Sequence, residues 1–234
     1  MSPTQAGSGV RLTGIDPATF RHTPWKNGGG MTIDVAESML PGFAPGSWDG
    51  MIWRFGRTPI VAPGPFTDFS GFDRHQVLVS GSGLVLETPD GEIDVRQPFK
   101  PVRFAGELPI VSRLEAGPVE AVNLIGDRSR VSVDLICLST GATHFRSAGV
   151  HIIYAATTSC DLTIDGKSCG VAAGHALRID ADDGFTVASR AGTAIMASVF
   201  PVGRASAGGR CVTNADNLSI VAPSCPRAHD GRTC

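Results

Sequence analysis

Residues able to hold a small anion stand beside apolar segments along this chain. Trp25, Lys26 and Asn27 come directly before three consecutive glycines, Gly28, Gly29 and Gly30, with Thr32 close behind. Glycine inside an element costs about 0.5–1 kcal/mol relative to alanine. Three in a row therefore mark backbone that bends sharply or lies against another group. Lys26 would bring that group a charge, Asn27 and Thr32 hydrogen bonds, and Trp25 an apolar wall. Arg54 sits in Trp53-Arg54-Phe55, Arg103 in Val102-Arg103-Phe104, and Arg74 directly before an apolar run; Asn123 interrupts Val122-Asn123-Leu124. A polar group facing a protein interior is tolerated when it is bonded, and a guanidinium fork matches a carboxylate. Taken singly, each arginine can be exposed or paired with Asp73, Glu87 or Asp34. Taken with Lys26 and Asn27, the set describes an anion-binding cavity.

A second chemistry is available around Arg74. Asp73 or His75 could serve as a general base, with Arg74 steadying an anionic intermediate. Other signatures fail. Gly81-Ser82-Gly83 lacks the third glycine and the following helix of a dinucleotide fingerprint, and Lys26 precedes its glycines, unlike a P-loop lysine. None of the six cysteines forms a CxxC pair. No cofactor is expected.

These residues must be positioned by strands. Hydrophobic residues make up 42% of the 234 and charged residues 18%, which fits a globular core rather than disorder. The net charge of −2 excludes a broad basic surface for nucleic acid or an anionic membrane. No apolar run has the length of a membrane span, and residues 1–10, expected to be flexible, lack the pattern of a signal peptide. A cytoplasmic protein is expected. Short apolar runs recur at 76–79, 84–87, 92–95, 119–125, 131–138, 150–155, 161–164 and 194–200, separated by Gly, Pro, Asp and Ser clusters. Asp90-Gly91 and Asp165-Gly166 read as type I′ hairpin turns. Helix is scarce: Asp16 before Pro17 could cap a single turn over 15–20.

The two Asp-Gly turns lie 75 residues apart, and the same offset aligns Val77-Leu78-Val79 with Ile152-Ile153-Tyr154 and Val102-Arg103-Phe104 with Leu177-Arg178-Ile179. Two copies of one β unit explain this. The predicted fold is all-β: a bicupin, two tandem cupin-like barrels or sandwiches of the RmlC-like jelly-roll type packed together over residues 11–202. The first unit covers about 25–138 and the second about 144–202. Residues 203–234, which carry Cys211, Cys225 and Cys234, read as a weakly structured tail. Metal-dependent cupins place two histidines at HxH spacing, on one face of a strand. The six histidines here never show that spacing, so no metal centre is expected.

Four stretches resemble the HutD/Ves family: Pro24-Trp25-Lys26-Asn27-Gly28-Gly29-Gly30; Pro65-Phe66 with Phe72-Asp73-Arg74; Pro101-Val102-Arg103-Phe104-Ala105-Gly106-Glu107; and Gly117-Pro118-Val119 with Val122-Asn123-Leu124. The resemblance runs over roughly residues 10–202. It implies a bicupin without metal ligands, associated with histidine utilisation. It also implies non-enzymatic binding of a small carboxylate of that pathway, of the urocanate or formylglutamate type, that moderates expression of the pathway. The binding residues would be Trp25, Lys26, Asn27, Gly28, Gly29, Gly30, Thr32, Arg54, Asp73, Arg74, Phe104 and Asn123. The alternative is a metal-independent isomerase or hydrolase using Asp73 or His75 on a small anionic substrate. Pairing of two copies through a sheet face or edge is left open.

Overall fold

The computed structural model describes residues 9–25 and 29–202. Lys26, Asn27, Gly28 and the Cys-bearing segment 203–234 lie outside the described residues. The first nine strands, in chain order, are β1 (Val10–Ile15), β2 (Arg21–Pro24), β3 (Met31–Met39), β4 (Met51–Ile60), β5 (Gly64–Pro65), β6 (Phe72–Thr88), β7 (Gly91–Asp94), β8 (Val102–Ala105) and β9 (Val111–Asp127). The others are β10 (Val131–Leu138), β11 (Thr143–Arg146), β12 (Gly149–Tyr154), β13 (Cys160–Ile164), β14 (Lys167–Val171), β15 (Ala176–Ala181), β16 (Phe185–Ala191) and β17 (Ala194–Pro201). A single 3-10 turn, Pro17–Thr19, is the helical content among the described residues; the Asp16 carboxylate accepts from the Ala18 N–H at 2.8 Å, as a cap should. No helix is long and apolar enough to cross a membrane.

Three antiparallel sheets result. The largest runs β2-β3-β4-β9-β6-β7, with β5 added to β9 and β8 to β6. A second runs β1-β15-β12-β17-β10 and a third β11-β16-β13-β14. The offset of 75 is visible in the pairing. β6 pairs with β7, β8 and β9. At the same offset β12 pairs with β15 and β17, while β13 pairs with β14 and β16. The long strands β6 and β9 thus do what two shorter strands each do in the second half.

Two details differ from expectation. Asp165 and Gly166 both take positive φ, 47° and 77°, but at the first turn only Gly91 does. There the Thr88 hydroxyl spans the turn, accepting from the Asp90 N–H and donating to the Gly91 carbonyl. The division between units is also less simple than a cut near residue 138. β10, expected to complete the first unit, pairs along its whole length with β17, and β1 pairs with β15. Strands from the start and middle of the chain therefore form both edges of the second sheet.

Alternation of side chains along a strand sorts the core into layers. Trp53 and Phe55 on β4, Val77 and Val79 on β6, and Val122 and Leu124 on β9 pack against Val133, Leu135, Ile152, Tyr154 and Ala197. Gly126 lies at this seam: a Cβ there would come within 2.5 Å of Val133 Cγ1. The opposite parity, Ile60, Leu78 and Ala121, turns into the first half with Leu84, Leu86 and Phe104. The second half encloses its own core around Leu162, Ile179, Phe185 and Val187.

Candidate functional site

The inward parity of β4, β6 and β9 changes from apolar to polar at one end of the first half. There Thr58 on β4, Arg74 and Gln76 on β6 and Asn123 on β9 line a cavity of about 410 Å³. Trp25, Trp48, Phe66 and Phe69 form its aromatic walls, and Thr32 and Ser112 add hydroxyls. The volume suits a small molecule, and a few polar groups among apolar walls is the usual make-up of such sites.

Arg74 is the charge in this cavity. It is 7% exposed, and its guanidinium carbon lies 4.8, 5.4 and 5.1 Å from the ring centres of Phe66, Phe69 and Phe104. Across the ladders its direct neighbours are Phe104 on β8 and Ile125 on β9, so neither brings a carboxylate. The nearby acids are committed elsewhere: Asp73 to Arg103 at 3.2 Å and Arg128 at 3.0 Å, and Asp34 and Glu37 to Arg54. Its Nε has no hydrogen-bond partner among the described residues. Burial pulls Arg74 down to about 10, so it remains a cation at neutral pH. Stacking on aromatic faces offsets part of the desolvation.

The amides beside it are also held open. Gln76 is 1% exposed and neither of its amide atoms is bonded among the described residues. Asn123, opposite it in the register, donates from Nδ2 to Thr58 Oγ1 at 3.3 Å and leaves Oδ1 without a partner among the described residues. Thr58 Oγ1 is 3.2 Å from Thr32 Oγ1, which accepts from Trp25 Nε1 at 3.0 Å. An unmet buried polar atom costs about 1–3 kcal/mol. Displacing Gln76 and Asn123 by the repeat offset leads to His151 and Ser198, which bond to each other at 2.9 Å under the rings of Phe185 and Phe200. His151 uses its second ring nitrogen on the Ser147 carbonyl. The same two ladder positions are closed in one half and open in the other.

Of the residues expected from sequence, Trp25, Gly29, Thr32, Arg74 and Asn123 line the cavity. Phe104 backs Arg74. Gly30 accounts for one of the three glycines: its carbonyl accepts from the Trp25 N–H, and a Cβ there would come 2.9 Å from the indole. Three expectations are corrected. Arg54 lies outside the cavity, with Glu37 opposite it on β3; its guanidinium bonds Glu37 and the Ser47 carbonyl, sits 3.7 Å from Asp34, and stacks on Trp48 at 4.4 Å. Burial raises the Asp34 carboxyl, opposed by Arg54. Asp73 and His75 flank Arg74 in sequence but, by strand alternation, occupy the opposite face of β6. His75 is buried there, and burial lowers its pKa, with Asp134 and Asp73 pulling the other way. Gln76, Thr58, Trp48, Phe66 and Phe69 were missed. Gln76 could have been found from its i+2 spacing after Arg74; no local signal brings Trp48 to the site.

The sequence model of the HutD family matches residues 17–197. An uncharacterised 21.2 kDa protein in the hutC 3′ region of Pseudomonas putida is 26% identical over 148 residues, 63% of this chain and 75% of that one. The fold is similar to HutD from Pseudomonas fluorescens SBW25, with a TM-score of 0.68 at 22% identity over 82% of this chain and 100% of that chain. A conserved protein of unknown function from Pseudomonas aeruginosa PAO1 gives 0.68 at 20% identity, with the same coverage. The match runs from the 3-10 turn into β17 and contains Arg74, Gln76 and Asn123 as well as the strands that position them, so the chain belongs to the HutD family.

Proposed function

We propose that this protein binds a small carboxylate in the first-half cavity and does so without chemistry, as a metabolite-binding component of histidine utilisation that moderates expression of the pathway. The observation that carries the reading is Arg74: a buried cation set among three phenylalanine rings, with no carboxylate partner among the described residues. An anion entering the cavity would supply that partner, and a charge-assisted bond in a desolvated pocket is among the stronger polar contacts available. The hutC 3′ location of the Pseudomonas putida relative supports looking first among acids of histidine breakdown, urocanate and formylglutamate included. An isomerase or hydrolase would need a base at the ligand. Among the described lining residues there is no carboxylate and no imidazole, and Asp73 and His75 face away.

The test is a thermal-shift series with histidine, urocanate, formiminoglutamate, formylglutamate and glutamate. A ligand selective for the native state adds about 2.7 kcal/mol at a hundredfold excess over its Kd. One of the acids is expected to raise the Tm of the wild type and leave Arg74→Met unmoved. A flat series, or a shift that survives Arg74→Met, sinks the reading.

A further inference from the structure

The hydrogen bonds of the cavity wall specify what the bound acid must carry besides its carboxylate; the argument rests on the carboxylate reading above. Trp25 Nε1 donates to Thr32 and Asn123 Nδ2 donates to Thr58, while one of the two threonine hydroxyls donates to the other. Among the described residues two carbonyl oxygens then stand unmet on the same wall, Asn123 Oδ1 and Gln76 Oε1, on residues 7% and 1% exposed. Because Gln76 and Asn123 are direct partners in the β6–β9 register, the two amides stand side by side. An acid built only of acceptors, such as carboxylates, ketones, esters or ethers, can satisfy Arg74 Nε and Gln76 Nε2. It leaves both carbonyl oxygens buried without a donor. Sites built this way reject an analogue that lacks the matching N–H or O–H far more strongly than sites that merely fit its shape.

We infer that Asn123, with Gln76, determines specificity by accepting a hydrogen bond from an N–H on the ligand, so that the cavity selects nitrogen-bearing small acids over acids that carry acceptors alone. The second half shows the same ladder positions in the opposite condition. His151 and Ser198 satisfy each other and phenylalanine rings close over them, so nothing there is left to read a ligand. In the first half the corresponding pair is parted, and one amide is turned by Thr58 so that its carbonyl is the free end.

Calorimetric titration of the full chain with two matched pairs tests this, each pair replacing N–H by oxygen: urocanate against 3-(1,3-oxazol-4-yl)acrylate, and N-formylglutamate against 2-(formyloxy)glutarate. In whichever pair binds, the N–H member is expected to bind at least tenfold more tightly. That ratio should fall towards one in Asn123→Ser, which installs the residue the repeat already carries at Ser198, and in Gln76→Met, which keeps side-chain length if the first variant fails to fold. Equal or tighter binding of the oxygen member overturns the inference and leaves the carboxylate reading standing. A ratio unchanged in the folded variants overturns the assignment to these two amides. No binding by any of the four acids at millimolar concentration overturns the inference, and the thermal-shift series decides the carboxylate reading separately.

Discussion

Arg54 and Arg74 are alike in burial and in stacking on aromatic rings, and they do opposite things. Arg54 has Glu37 across the ladder and Asp34 within 3.7 Å, so its charge is internally matched. Removing one partner of a buried ion pair leaves the other uncompensated, typically at about 3–5 kcal/mol. Arg54→Leu should therefore lower the unfolding free energy by roughly that amount, measured by urea titration, because Asp34 loses its ion-pair partner and Glu37 keeps only Arg21. Arg74 has Phe104 and Ile125 across its ladders, and no carboxylate among the described residues pairs with it. Replacing it by methionine, of similar length and apolar, should raise the stability of the ligand-free protein by about 1–3 kcal/mol while abolishing acid binding. Unchanged or lower stability of Arg74→Met would mean that the guanidinium is better satisfied than its contacts indicate. Asp34, His75 and Gln76 show why such distinctions escape a sequence: each is a buried polar residue in or beside an apolar run, and only its neighbour across the ladder says whether it is matched.

At the scale of the element, β6 decides the site. Its even-numbered residues Arg74, Gln76 and Leu78 face the first-half interior, and its odd-numbered residues His75, Val77 and Val79 face the other half of the molecule. A period of two can be read from sequence, and it would have separated Asp73 and His75 from Arg74 once the strand was placed. Asp73→Asn and His75→Gln should accordingly leave the affinity for the acid within about twofold of wild type, by calorimetry, whatever they do to stability. A tenfold loss in His75→Gln would bring the imidazole back into the site. The glycine motif was legible for a different reason: the Trp25 indole lies against Gly30, a contact between residues five apart that any local reading can anticipate.

At the scale of the whole molecule, the closed second half should leave a mark on the pH dependence of stability. Burial pushes His151 down to about 4 in the fold, against 6.5 for a free side chain. Between these values unfolding takes up a proton, so stability falls as pH is lowered from 6.5 towards 4 and changes no further below that. The full span is worth about 3 kcal/mol. His75 and His144, both lowered mainly by burial, add slopes of the same sign. His151→Gln should flatten the wild-type loss between pH 6.5 and 4 when midpoints of urea unfolding are compared. Parallel curves for the two proteins would show that His151 does not titrate on unfolding.

The sequence by itself determined the all-β class, the repeat at an offset of 75, the cap at Asp16 and a glycine lying against Trp25. These rest on patterns confined to a few neighbouring residues or on self-similarity along the chain. Tertiary structure alone decided that β10 and β1 complete the second sheet, that Arg54 is matched and Arg74 is not, and that Trp48 walls the cavity. It also decided that Gln76 and Asn123 stand open where His151 and Ser198 are joined. Each of these turns on which residue lies opposite across a ladder, often tens of positions away in the chain. Side-chain chemistry is written in the residue, but whether a charge or an amide is satisfied depends on its partner, and the fold chooses the partner.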